Sequence, residues 1–177
     1  MIDLQPIKPY LPAIRSFADI PFQPFALRQR VTELGWPVVD DLSSYTNKPD
    51  GFCIVTQMGE HRFCIIVDDE RMAGVSLCAL APSEPCDNNF QVPTQEEYHA
   101  CFDDLARLLA AAWGQPRHAG SHEGGFSYAL WRRAVSWIAA VEHHEGDANF
   151  GHDATVDIRI LPGQDAPVFP LITNSIF

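Results

Sequence analysis

FCIVTQMGEHRFCIIVDDERMAGVSLCAL, residues 52–80, decides the fold. It holds three apolar, β-branched runs: Phe52–Gln57, His61–Val67 and Met72–Leu80. The links Met58-Gly59-Glu60 and Asp68-Asp69-Glu70-Arg71 are too short for a crossover helix, so the runs must pair antiparallel as a meander. The first two are apolar at consecutive positions, as in Phe52-Cys53-Ile54-Val55 and Phe63-Cys64-Ile65-Ile66-Val67. A strand with that pattern is covered on both faces.

Outward from this meander the next signal is Thr94-Gln95-Glu96-Glu97, a capping box in which the hydroxyl and the Glu97 carboxylate each satisfy a free N–H at a helix start. Tyr98, Cys101, Phe102, Leu105, Leu108, Leu109, Ala112 and Trp113 then follow at helical spacing, and Gly114 and Pro116 end the helix. Three further strands are expected at Phe126–Arg132, Val135–His143 and Thr155–Leu161, the first two as a hairpin around Arg133-Ala134. In the last, Val156, Ile158 and Ile160 share one face, and Asp157 and Arg159 the other. Upstream, Phe25, Leu27, Val31 and Leu34 have helical spacing, with Gly35 and Pro37 as stops. Residues 40–51, 81–93 and 115–125 read as loops.

The order α-β-β-β-α-β-β-β over residues 25–162 predicts an α+β fold: a mainly antiparallel sheet of about six strands with two main helices packed on it. Pro6, Pro9, Pro12, Pro21 and Pro24 rule out one regular helix or a central strand in residues 1–24. Their interleaved apolar residues predict an extended arm laid on the domain, with a helical turn or two at Leu11–Phe17. Residues 163–177 read as an apolar, proline-broken extension. The whole of residues 1–177 is expected to be one domain.

Composition narrows the function. The formal net charge is −11, from 23 acids and 12 bases. Such a field repels nucleic-acid phosphates and anionic lipid and attracts a basic protein surface. No apolar run reaches the about 18–20 residues that span a bilayer, and no signal peptide is read, so the expectation is a soluble, cytoplasmic chain. Of the five cysteines, Cys53, Cys64 and Cys78 lie in apolar runs and read as small buried hydrophobes. Cys86 stands in a polar loop beside Asp87, which disfavours its thiolate. Trp36, Trp113, Trp131, Trp137 and Tyr128 sit on apolar stripes and read as core.

Candidate chemistry is sparse. His143, His144 and His152, with Glu145, Asp147 and Asp153 among them, carry donors that suit zinc or iron, but their spacing matches no metal motif and H-E-x-x-H is absent. His118, Ser121, His122 and Glu123 share one stretch without a nucleophile-elbow context. No catalytic residue and no cofactor is assigned. The acids at turns are the alternative: Asp68, Asp69 and Glu70 at a hairpin tip, and Glu142, Glu145, Asp147 and Asp153 around the histidine loop. On a rigid sheet they can form a docking face for a basic partner.

Trp131-Arg132-Arg133-Ala134-Val135-Ser136-Trp137, running into Glu142-His143-His144 and closing with Val156-Asp157-Ile158-Arg159-Ile160, resembles segments of the immunity proteins of polymorphic and contact-dependent toxin systems. The alternation of helices and strands is also similar to class I secretion chaperones, from whose pattern the proline-rich start departs. The resemblance covers roughly residues 25–162. It implies a non-catalytic protein that binds a cognate toxin and occludes its active site. The chaperone resemblance implies an adaptor for an effector protein.

Overall fold

The computed structural model describes residues 4–45, 52–58, 61–67, 73–80, 93–122, 126–143 and 155–163. The chain opens with a 3-10 helix, Gln5–Tyr10, that continues into α1, Leu11–Phe17, and α2 follows at Pro24–Glu33. After β1, Val38–Asp41, comes a 3-10 turn at Ser43–Tyr45, then β2, Phe52–Met58, β3, His61–Val67, and β4, Ala73–Leu80. The long helix α3 is Gln95–Trp113. It leads into β5, His118–His122, β6, Phe126–Arg132, β7, Ser136–His143, and β8, Thr155–Pro162.

These strands form one antiparallel sheet in the order β1-β2-β3-β4-β8-β7-β6-β5. Each half is a meander, and the halves meet where β4 pairs with β8, with Val75 opposite Ile160 and Leu77 opposite Ile158. The α+β class and the antiparallel sheet are as read from the sequence. The strand number is not: β1 and β5 lie partly or wholly in stretches read as loops. His118-Ala119-Gly120-Ser121-His122 has weak β preference, and its pairing with β6 supplies what propensity does not. At Gly120 a Cβ would stand 3.1 Å from the Tyr128 hydroxyl oxygen across the pair, so the tyrosine ring occupies the space that the glycine leaves.

The proline-rich start packs on the domain and is helical at Leu11–Phe17, as read from the sequence; the correction lies upstream, where Gln5–Tyr10 is a 3-10 helix instead of extended chain. Pro12 and Pro24 each fall in the first turn of their helix, where the missing N–H has no partner to lose. Ile7, Ile14 and Phe17 are buried, in one cluster with Leu27, Val31, Ile54, Ile65, Leu105, Leu109, Ile138 and Ile158. Two stitches fix the end of this segment to the β6–β7 turn. Ser136 Oγ donates to the Ala18 carbonyl at 2.6 Å, and Arg133 forks onto the Asp19 carboxylate at 2.9–3.2 Å.

Helix α3 lies across β4, β6, β7 and β8. Its start is the expected capping box: the Glu97 N–H donates to Thr94 Oγ1 at 3.2 Å, and the Thr94 N–H to Glu97 Oε2 at 2.8 Å. Those bonds hold the Glu97 carboxyl below its ordinary range. Gly114 ends the helix at φ 86°, a left-handed conformation that glycine adopts without strain. Its carbonyl accepts from Trp131 Nε1 at 2.8 Å, tying the helix end to β6.

Residues 136–142 of β7 and 156–161 of β8 are buried on both faces. The helix-side face carries Ile138, Ala140, Val156, Ile158 and Ile160. The far face gathers Leu130, Trp137, Ala139, Val141 and Leu161. Asp157 and Arg159 lie on that far face. They are 6% and 2% exposed and joined at 2.8 Å, so the alternation read as apolar-in, polar-out is a buried ion pair.

Two stability effects follow. Thr94→Ala removes the cap and lowers unfolding free energy by about 1 kcal/mol in urea titration, whereas Thr94→Ser leaves it nearly unchanged. Asp157→Ala removes the carboxylate 2.8 Å from a buried guanidinium and lowers stability by several kcal/mol at most, about 3–5 where a buried pair is broken. Asp157→Val combined with Arg159→Met costs less than the single change, because both buried charges are removed together.

Candidate interaction surface

The acids nominated for docking divide into two groups. Asp68, Asp69, Glu70, Glu145, Asp147 and Asp153 lie outside the described residues, as do His144 and His152 of the histidine cluster and Cys86. Glu142 is described and does not lie on a surface: it is 1% exposed near the end of β7. Its position on the helix-side face follows from the alternation that also turns Ile138 and Ala140 inward, so its carboxylate meets α3. There His99 Nδ1 stands 3.1 Å from Glu142 Oε2. The carboxylate raises the pKa of His99, first through this hydrogen bond and then through its charge, with a smaller push from Asp103 against a small loss from burial. Cys101, two residues on in the same helix, has its thiol pushed up to about 11, chiefly by burial and then by Asp104 and Glu142. It is a packing residue, not a nucleophile. Cys53 is likewise buried.

Trp131 and Trp137 are buried as expected of core residues. The indole of Trp137 has His118 at 5.6 Å on one side and the Arg132 guanidinium at 5.3 Å. His118 and Ser121 do not converge. They belong to strand β5, where successive side chains point to opposite faces, so a shared nucleophile–base site is not assembled. Among the described residues there is no group of three or more His, Cys, Asp or Glu side chains placed to hold a metal ion. Nor, among them, is any helix long and apolar enough to cross a membrane.

What the sequence did not mark is a groove of about 760 Å³ between α3 and the β5–β6 end of the sheet. Its helix wall is Phe102, Asp103, Ala106, Arg107 and Ala110, and its floor includes Ala119, Ser121, Ser127 and Ala129. The walls are small where helix faces sheet, so the layers do not close over each other there. The one available signal was the run of alanines late in the helix. Its meaning depends on β5, which read as loop.

Arg28, Arg30, Arg107, Arg133 and Arg159 each contact a carboxylate: Asp41, Glu33, Asp104, Asp19 and Asp157 respectively. Arg132 donates instead to the carbonyls of Arg133 and Ser136. Asp41 is further held by the hydroxyl and N–H of Ser43, and these bonds with Arg28 lower its pKa. Asp40, Glu96 and Asp103 are exposed. Among the described residues Lys8, Arg15 and Arg117 are exposed as well, so the net charge of −11 belongs to the chain as a whole.

The His99–Glu142 contact makes stability depend on pH. The folded-state pKa of His99 lies above its unfolded value of 6.5, so the stabilisation is complete below pH 6.5 and is lost as pH rises through the folded value. His99 is largely open to water, and screening keeps the effect below about 1 kcal/mol. In urea melts between about pH 5.5 and 8.5, the gap between wild type and His99→Gln is widest at the acid end and closes at the alkaline end.

Comparison with family profiles, with characterised proteins and with solved structures finds no match to this chain.

Proposed function

We propose that this chain is a non-catalytic docking protein of the immunity type, which binds a basic toxin domain and covers its active site. The observation that carries the reading is the net charge of −11, from 23 acids and 12 bases. An outward field of one sign accelerates encounter with a partner of the other and rejects nucleic acid. Occlusion needs a rigid surface and no turnover. An eight-stranded sheet backed by α3 provides that rigidity.

The test is protection and binding against any secreted protein that a neighbouring reading frame is found to encode. Co-expression is expected to rescue cells from the toxin domain. The purified pair is expected to form a one-to-one complex whose association rate falls at least about tenfold between low and high salt. A toxin that still kills, with no complex formed at low salt, refutes the reading.

A further inference from the structure

The two ends of the sheet are built differently. At one end, β1 is four residues long, its register with β2 shifts between Val38 and Asp40, and it carries Asp40 and Asp41. Shortness, a bulge and charge are the means by which a sheet edge is kept from pairing with another chain. At the other end, β5 is also short, at five residues, but has neither bulge nor acid. It pairs with β6 in unbroken register over five residues, and it contains no proline, lysine or acid. Residues 118–121 are exposed, and among the described residues no strand lies beyond them.

The groove runs beside this open edge. Residues 119 and 121 pair with Ala129 and Ser127, whose side chains face α3, so a strand added outside β5 continues the groove floor. Its alternate side chains then point between the sheet and Phe102, Ala106 and Ala110. The His99–Glu142 pair stands near one end, with Glu142 opposite Ser127 in the sheet, and Gln115 and Pro116 line the other.

We propose that β5 and the groove together accept an extended segment of the partner protein by strand addition, with bulky apolar side chains at alternate positions and lysine or arginine flanking them. The inference rests on the docking reading above and assigns that docking a place. Backbone pairing with the edge supplies affinity, and the groove supplies selection among side chains. The volume, about 760 Å³, is of the size that holds a ligand, and it requires large side chains to fill it. A second copy of this chain, joining edge to edge through β5, brings only Ala119 and Ser121 to that face and leaves the groove unfilled. Charge sets the flanks. Asp103 is exposed on the helix wall, the charge of Arg107 is engaged by Asp104, and Arg117 is exposed just before β5, so the preference for a basic flank comes from the net −11 of the whole chain.

The probe is an acetylated heptapeptide, Lys-Leu-Thr-Leu-Thr-Leu-Lys, titrated into the full chain by calorimetry and by amide-exchange NMR. The expected result is saturable binding with at least a tenfold gain in protection at the amides of residues 118–122 and no change at 38–41. The same peptide N-methylated at alternate residues, and one with glutamates for lysines, are expected to bind at least tenfold more weakly. Ala106→Phe and, independently, Ala110→Phe fill the groove and are expected to reduce binding at least tenfold with the circular dichroism spectrum unchanged. Three results overturn the proposal: no binding of the lysine peptide to folded wild type, binding undiminished in both filled variants, or β5 amides already protected in a dimer of this chain. A cognate toxin that binds both filled variants with unchanged affinity leaves the docking function standing and removes the groove from it.

Discussion

Strand β8 is the interaction on which the rest of the sheet depends. It pairs with β4 on one side and β7 on the other, and its residues 156–161 are buried above and below. Without it the chain has two separate meanders, each with an open inner edge and an apolar face. A strand in that position must satisfy every backbone group through its neighbours. Any polar side chain it turns inward must also find a partner there, and Asp157 and Arg159 do so two residues apart on the same face. The ion pair is thus a consequence of where β8 sits, and its geometry favours one register of β8 against its neighbours.

Around that seam the other elements are held by one shared apolar cluster and by polar contacts at their ends. Helix α3 bridges both halves by packing on β4 as well as on β6, β7 and β8. Its far end is held by the Trp131 indole, with Trp113 edge-on to the same ring at 6.1 Å. The first helices reach the opposite part of the sequence through Ser136 and Arg133, both in or beside the β6–β7 turn. Phe17 meets Trp36 at 5.4 Å, so the start of the chain also packs against the exit from α2. Arginines placed to join elements are matched by acids, as Arg133 is by Asp19 and Arg28 by Asp41.

Six strands and the long helix were legible because their signals are local. A capping box, a stop at Gly114 and β-branched runs act within a few residues. Strands β1 and β5 were not legible, because neither has a pattern of its own. Val38–Asp41 is half acidic and follows a proline, and His118–His122 is built from residues with weak β preference. Both form because β2 and β6 offer them a template, which is tertiary information. Prolines misled for a related reason: they exclude a helix interior but suit a helix start, and spacing alone does not separate the two. Glu142 looked like a surface acid because it neighbours a polar run. The period-two alternation from Ile138 through Ala140 carried the contrary message, that it turns toward the helix. The groove was illegible for want of β5.

The seam has a consequence for how the molecule is made. Strands β1 to β4 leave the ribosome first, and the partner that closes the inner edge of β4 is the last strand described, ending at Pro162. Until then the leading half of the nascent chain exposes an apolar strand border, the kind that joins neighbouring chains on a polysome. The contacts between Asp19 and Arg133, and between Ala18 and Ser136, also wait for residues more than a hundred positions downstream. Sequence-distant closure of this sort slows folding, so this protein spends its riskiest interval half assembled and in the company of its own copies.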